Sequence, residues 1–233
     1  MRQTLNYRVP VEYVPMKRLV ILISGRGSNL EAILERIRAQ GWPIEVAQVI
    51  SNQPDAAGLA VAQSYGVPGQ VLSPKDFVDR DAYDLALAQR ILGFAPDLVA
   101  LAGFMRILSP AFCQRFAGRL INIHPSLLPA FKGLKTHAQA LAAGVPLHGC
   151  TVHAVTPELD HGPILAQAVC PVFLNDTVES LATRVLEMEH ALYPNAIAGI
   201  LSGRFVLENG RWIDRGIAEF GGAFLRWHVH PSL

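Results

Sequence analysis

The first clear structural signal in the chain is KRLVILIS at residues 17–24, followed by GRGSN at residues 25–29. The continuous run of branched apolar residues predicts a strand that is buried on both faces. Apolar residues then recur at helical spacing, at Leu30, Ile33, Leu34 and Ile37. A buried strand, a glycine-rich turn and a helix together indicate the opening unit of an α/β fold.

The same alternation continues through the first half of the chain. Apolar strand patterns lie at residues 44–50, 67–72, 98–102 and 120–124. Helical patterns lie at residues 56–65 and 77–94, and Ser109-Pro110 begins a short helix because proline suits a first helical position. This order predicts a doubly wound, mostly parallel sheet with helices on both faces, a Rossmann-like architecture.

The pattern changes after His148. Residues 149–155 and 164–172 predict a β-hairpin, and Asp176 is predicted to begin a long helix with Glu179 as its capping-box partner. Short strand-like segments follow Leu201, with a turn at Asn209-Gly210. We therefore divide the chain into an N-terminal extension (1–16), one α/β domain (17–203) and a C-terminal extension (204–233).

Composition excludes several classes of protein. The chain has 233 residues, of which 51% are hydrophobic, and a formal net charge of +1. It lacks the basic excess typical of proteins that bind nucleic acid. Residues 1–17 contain no apolar region of a signal peptide, and residues 19–23 are too few to span a bilayer. We expect a cytoplasmic protein with no nucleic-acid or membrane partner.

The three cysteines, Cys113, Cys150 and Cys170, support the same location. Their odd number and wide spacing argue against a disulfide framework and against a zinc site. We interpret them as small buried hydrophobic residues in a reducing compartment, and we predict no metal.

The glycine loop at residues 25–29 has the layout of a phosphate site. Glycines allow close approach of the backbone, and the helix N-terminus offers free N–H groups. The third glycine of the dinucleotide fingerprint is absent, and so is the Lys-Ser/Thr pair of nucleoside triphosphate loops. A single phosphate on a small substrate fits best. The alternative is a tight turn in which Ser28 or Asn29 caps the helix.

A second polar group lies near the end of a predicted strand. Asn122 and His124 alternate with Ile123 and so point to one face, at the sheet edge where open α/β folds bind ligands. Asp160 supplies a carboxylate just before the turn at Gly162-Pro163. The alternatives are a hydrogen-bonded structural pair for Asn122 and His124, and a solvent-exposed turn residue for Asp160.

These motifs carry a family resemblance. INIHPSLLP at residues 121–129, with LDHGP at residues 159–163, resembles the folate-dependent formyltransferases. ISGRGSNL at residues 23–30 and LAGFMRIL at residues 101–108 resemble one branch, the phosphoribosylglycinamide formyltransferases. The similarity extends from about Lys17 to about Leu201. It implies the formyltransferase fold, 10-formyltetrahydrofolate as cosubstrate and glycinamide ribonucleotide as formyl acceptor in purine (IMP) biosynthesis.

The resemblance also implies roles for single residues. The catalytic residues would be Asn122, His124 and Asp160. The substrate phosphate would be held by Gly27, Ser28 and Asn29, and Glu189 would be a further substrate-binding carboxylate. The folate site would comprise Arg80, Met105, Arg106, Ile107 and Leu108, together with Asn122 and Asp160. The sequence leaves open whether the protein is a monomer or a homodimer.

Glu189 has some independent support from the helical pattern. The predicted buried stripe of the last long helix comprises Val178, Leu181, Val185 and Leu192. Glu189 lies four residues after Val185, at the edge of that stripe, so we expect its carboxylate to face inward or towards a cleft.

The implied chemistry suits these residue types. As the amine attacks the formyl carbon, the Asn122 amide and a protonated His124 would donate hydrogen bonds to the developing oxyanion. We expect Asp160 to pair with His124, to favour its charged form and to relay protons. No covalent enzyme intermediate is required.

Two positions depart from the family pattern, and three other functions remain as alternatives. His161 is an extra titrating group or a loop residue facing water, and Arg26 adds attraction for phosphate or faces solvent. His137 is expected near the cleft, and the other histidines are expected to be structural or exposed.

The alternative functions are formyltetrahydrofolate deformylase, methionyl-tRNA formyltransferase and a non-catalytic phosphate-binding module. The chain is shorter and closer to neutral than expected for the tRNA enzyme.

Overall fold

The computed structural model describes residues 15–216 and 227–229. The strands are β1 (Lys17–Ile23), β2 (Ile44–Ser51), β3 (Gly69–Val71), β4 (Leu98–Leu101), β5 (Leu120–His124), β6 (Leu147–Ala154), β7 (Ile164–Pro171), β8 (Phe205–Glu208), β9 (Arg211–Asp214) and β10 (Trp227–Val229). The helices are α1 (Ser28–Gln40), α2 (Gly58–Ser64), α3 (Arg80–Leu92), α4 (Pro110–Arg115), α5 (Thr136–Ala143) and α6 (Val178–Leu201), with a 3₁₀ turn at Pro74–Asp76.

Eight strands form one mostly parallel sheet in the order β10-β7-β6-β5-β4-β1-β2-β3. Strands β5, β6 and β7 pair antiparallel, and the other neighbours in the sheet pair parallel. The chain passes from β1 to β2 on one side and later returns to β4 on the other side. This reversal between β1 and β4 makes the switch point at which ligands bind in open α/β sheets.

Two apolar cores lie on opposite faces of the sheet. Leu19, Ile21 and Ile23 of β1 pack into the core that α1 and α6 cover. Val20 and Leu22 pack into the core that α3 and α4 cover. All five side chains are fully buried, which explains why β1 reads as an unbroken apolar run. The predicted doubly wound α/β fold with a β-hairpin and a long final helix is confirmed.

The predicted start of the long helix is wrong by one residue. Thr177 is the N-cap of α6, and Ser180, not Glu179, completes the capping box. The carboxylate of Asp176 is used elsewhere, since it pairs with Arg184 at 2.8 Å. Val178 is 41% exposed and so does not belong to the buried stripe.

Helix α5 was not predicted from the sequence. It begins after Lys135, which has a positive φ of 57° and gives no side-chain cap. Only Thr136 and Ala140 are buried in it, so neither a capping signal nor an apolar stripe marks the helix.

The two predicted extensions differ in what can be described. Residues 1–14 of the N-terminal extension lie outside the described residues. In the C-terminal extension, β8 and β9 form a hairpin whose Trp212 Nε1 donates to the Pro163 carbonyl at 3.0 Å. Phe205 of β8 is buried against Gly199 of α6. This hairpin therefore packs onto the α/β domain.

Candidate active site

Strand β5 brings two polar side chains to the switch point. Asn122 and His124 point to the same face and lie opposite His153 and Thr151 of β6 in the antiparallel register. His124 is 5% exposed, so its polar atoms need partners within the protein.

The ring of His124 is fixed from two sides. Its Nε2 lies 3.0 Å from the Phe131 carbonyl, which can only accept, so Nε2 carries a proton. Its Nδ1 lies 3.4 Å from Oδ2 of Asp160, and both side chains are less than 10% exposed. His124 and Asp160 therefore face each other, as the predicted pairing requires.

A tight turn presents the carboxylate of Asp160. Asp160 has a positive φ of 48°, a sparsely populated conformation for a residue with a side chain. The Gly133 amide donates to Asp160 Oδ2 at 2.8 Å, which ties the turn to the segment after β5. Gly162 lies so close to the Ala154 carbonyl that any side chain there would overlap it. These contacts hold the turn in its sparsely populated conformation, as is common at functional sites.

His153 is a site residue that the sequence pattern does not predict. Its Nδ1 donates to the Ala154 carbonyl at 2.9 Å, so Nε2 is an acceptor in the neutral ring. Burial lowers the pKa of His153, which keeps the ring neutral. Asn122 Nδ2 lies 3.3 Å from that Nε2 and donates to it. His153 thereby fixes which way the Asn122 amide faces and leaves its second N–H free to donate.

A cavity of about 470 Å³ opens beside these groups. Asn122, His124, His153 and Asp160 form its polar end. Much of the remaining wall is apolar, as is typical of ligand pockets. The apolar part includes Leu101, Phe104, Met105, Ile107, Leu108, Val155 and Leu159. His137 also lines the cavity, as expected from its position near the cleft.

The segment Met105–Leu108 is held in place by its neighbours. The Met105 amide donates to Ser24 Oγ at 2.7 Å, directly after β1. Arg106 stacks on the Tyr83 ring at 4.3 Å. At the far end, the buried Asp84 accepts from the Ser109 amide at 2.6 Å. Met105 and Ile107 are 69% and 56% exposed, so this wall presents apolar surface that a ligand would cover.

The glycine loop leads directly into α1. Gly27 is the N-cap residue, with a positive φ of 81° and no side-chain cap. The predicted alternative, a cap by Ser28 or Asn29, is therefore not what forms. The first N–H groups of α1 have no helical partner and lie at the positive end of the helix dipole, an arrangement suited to an anion.

Besides its positive φ, a close contact requires glycine at position 27. A Cβ at Gly27 would come within 2.6 Å of the Gly58 Cα. We expect Gly27→Ala to lower the unfolding free energy by about 1–3 kcal/mol through strain and clash together. Gly41→Ala is the matched control, since its φ is also positive (60°) but no atom of the described residues lies within 4 Å of a Cβ there. Urea unfolding of both variants measures the difference; equal destabilisation would show that close approach to Gly58 is unimportant.

Glu189 lies behind the glycine loop. It is 7% exposed on α6 and accepts a hydrogen bond from Asn29 Nδ2 at 2.6 Å. Burial raises the pKa of Glu189 to about 7, and the Asn29 hydrogen bond lowers it only in part. The expected inward orientation of this carboxylate is what the structure has, and it connects α6 to the predicted phosphate loop.

The raised pKa of Glu189 has a consequence for stability. A carboxyl group whose pKa is higher in the folded state destabilises the fold when ionised, so the penalty is absent below its ordinary value of 4.5 and complete above about 7. We expect Glu189→Gln to raise the unfolding free energy at about pH 8 by up to roughly 3 kcal/mol, and by much less at about pH 5. Urea unfolding at both pH values tests this; a gain that is equal at both would contradict it.

The sequence matches known proteins along most of its length. A family model described as formyl transferase matches residues 17–197. The phosphoribosylglycinamide formyltransferase of Escherichia coli (strain K12) is 49% identical over 197 residues, covering 84% of this chain and 93% of that protein. The chain belongs to the phosphoribosylglycinamide formyltransferase family. The resemblance inferred from the motifs at residues 121–129 and 159–163 is thereby confirmed.

Solved structures of this formyltransferase family have the same fold. The phosphoribosylglycinamide formyltransferase from Coxiella burnetii, in complex with CHES, has a TM-score of 0.84 and 41% identity over 94% of this chain and 100% of that chain. Glycinamide ribonucleotide transformylase 1 from Symbiobacterium toebii has a TM-score of 0.83 and 47% identity over 85% and 94%. The predicted enzyme class is also confirmed.

Three charged or titratable residues, Arg80, Arg26 and His161, lie apart from the cavity wall. Arg80 begins α3, its side chain is 50% exposed, and it is not among the residues that line the cavity. Arg26 is exposed in the glycine loop. His161 is also exposed, in agreement with a loop position facing water, but it contacts Lys132.

Within residues 15–216 and 227–229, no helix has the length and apolar character to cross a membrane. The same residues contain no group of three or more side chains suited to hold a metal ion.

Proposed function

We propose that this chain transfers the formyl group of 10-formyltetrahydrofolate to the amine of glycinamide ribonucleotide, in the cytoplasm, as a step of purine (IMP) biosynthesis. The observation that carries the proposal is the convergence of Asn122, His124 and Asp160 at the polar end of the cavity. Membership of the family named for this reaction supports the same acceptor.

The acceptor would bind on the side of the glycine loop. The uncapped N-terminus of α1, with Gly27, Ser28 and Asn29, suits a phosphate. Glu189 hydrogen bonds to Asn29 within this region and has a second carboxylate oxygen with which to accept from a hydroxyl or an amine. One phosphate at one end and an amine at the other match the shape of glycinamide ribonucleotide.

The formyl donor would occupy the cavity. The volume of the cavity suits a bicyclic ring system. The cavity wall from Met105 to Leu108 offers both apolar side chains and backbone polar groups. Arg80 lies outside this wall but carries a half-exposed guanidinium that could meet an acidic tail extending from the ring. We therefore retain Arg80, Met105, Arg106, Ile107 and Leu108 as the proposed folate residues, with Asn122 and Asp160 at the reacting end.

Asn122 and His124 would stabilise the charge that develops on the formyl oxygen. His153 holds one N–H of the Asn122 amide, and the other can donate to the oxyanion. His124 uses Nε2 on the Phe131 carbonyl, so in the charged ring Nδ1–H is the remaining donor, shared between Asp160 Oδ2 and the oxyanion. Donors held in place before reaction stabilise the transition state without reorganisation.

Asp160 would support the charged form of His124 and move protons. Its Oδ2 accepts from the Gly133 amide and faces His124 Nδ1, and its Oδ1 lies 3.9 Å from His153 Nε2. A proton lost by the attacking amine can pass to this carboxylate and onward to the folate nitrogen that leaves. The amine attacks directly, so no residue of the chain forms a covalent intermediate.

The test is folate turnover followed spectrophotometrically, with and without glycinamide ribonucleotide. We expect turnover only when the ribonucleotide is present. Turnover without it would replace the proposal by hydrolysis of the formyl folate. Binding of both ligands without any turnover would favour the alternative of a non-catalytic phosphate-binding module.

A further inference from the structure

Two loops meet over the reacting groups. The segment after β5 supplies the Phe131 carbonyl to His124 and the Gly133 amide to Asp160. The loop between β6 and β7 supplies Asp160 itself. The orientation of both proposed catalytic groups therefore depends on how these loops lie against each other, and Lys132 occupies the position between the two contacts.

Lys132 makes a second contact between the same loops. Its Nζ lies 2.8 Å from Nδ1 of His161, the residue directly after Asp160. An ammonium group can only donate, so the His161 ring accepts at an unprotonated Nδ1. Glu158 Oε1 lies 3.5 Å from His161 Nδ1, which places a negative charge near the Lys132 ammonium group. Lys132 and His161 thus join the two loops, and Glu158 lies in the same loop as His161.

We propose that Lys132 and His161 form a latch that closes these two loops and positions His124 and Asp160 for reaction. Both act as positioning residues, since neither lies in the cavity wall. The latch bridges the Phe131–Gly133 segment to the strained turn at Asp160. The kinetic part of the test rests on the proposed function, and the structural part does not.

The expected effect lies in catalysis more than in stability. The His161 and Glu158 side chains are 58% and 67% exposed, and exposed polar contacts contribute little to the stability of a fold. Misplacing a reacting group by a fraction of its contact distance can nevertheless slow a reaction strongly. Opening the latch loosens the Gly133–Asp160 hydrogen bond and the His124–Asp160 contact together, because Lys132 adjoins both Phe131 and Gly133.

The kinetic test is a double-mutant cycle of His161→Ala and Lys132→Met. We expect each single variant to lower kcat by about tenfold, with the KM for glycinamide ribonucleotide unchanged, and the double variant to be no slower than either. His161→Asn keeps an acceptor oxygen near the position of Nδ1 and should restore most of kcat. Lys75→Met is the matched control, because Lys75 is exposed and absent from the cavity wall.

The structural test is hydrogen exchange at the Gly133 amide, which needs no activity. We expect exchange about tenfold faster in His161→Ala and Lys132→Met, and unchanged in Lys75→Met. Unchanged Gly133 exchange in both latch variants, or additive losses of kcat in the double variant, would overturn the latch. If the wild-type chain proved inactive while Gly133 exchange accelerated, the latch would stand and the proposed function would fall.

Discussion

Asn122→Ala is expected to lower kcat for formyl transfer by about 10²–10³-fold, which is the effect of removing one preorganised oxyanion donor. The reason lies in the His153 contact, since Asn122 Nδ2 is already oriented by His153 Nε2 at 3.3 Å. Alanine removes the donor and leaves the ring of His153 in place. Steady-state kinetics give kcat, and calorimetry gives the affinity for glycinamide ribonucleotide, which should change little.

The matched control is Asn195→Ala. Asn195 donates to the Ala191 carbonyl within α6 and is absent from the cavity wall, so its loss should leave kcat near the wild-type value. Near-normal kcat in Asn122→Ala would contradict the oxyanion role. A parallel fall in both variants would point to a general loss of structure, which circular dichroism would detect.

Asp160→Asn is expected to lower kcat by about 10²–10⁴-fold, the range for loss of an acid–base group. Asparagine keeps an acceptor oxygen for the Gly133 amide, which lies 2.8 Å from Oδ2, so the turn should persist. What it removes is the carboxylate 3.4 Å from His124 Nδ1, which is the group proposed to accept a proton.

Asp55→Asn provides the control for Asp160→Asn, because Asp55 is exposed in the loop after β2. It should retain wild-type kcat at every pH. An Asp160→Asn enzyme with a kcat within about twofold of wild type would remove Asp160 from the proposed acid–base mechanism.

The fold could be predicted where burial determines residue type. Strand β1 is buried on both faces, so each of its positions from Leu19 to Ile23 must be apolar, and the sequence shows it. The start of α6 was misplaced because two neighbouring residues, Asp176 and Thr177, both resemble N-caps. Their roles differ only because Arg184 recruits the Asp176 carboxylate, which is a tertiary contact.

The site could be predicted in part for a similar reason. Asn122 and His124 lie two apart on one strand, so their common face follows from strand geometry alone. His153 could not be found this way, since its approach to Asn122 depends on the register between β5 and β6. The two strands are joined by a long connection containing α5, whose uncapped start at Lys135 has no clear sequence signal.

The most direct test of the proposed reaction follows the formyl carbon itself. 10-Formyltetrahydrofolate labelled with carbon-13 in the formyl group would be incubated with the enzyme and glycinamide ribonucleotide, and the products identified by mass spectrometry. We predict that the label appears in the ribonucleotide, in an amount equal to the folate consumed. Label recovered as free formate, with the ribonucleotide unchanged, would contradict transfer and show that the chain hydrolyses its folate.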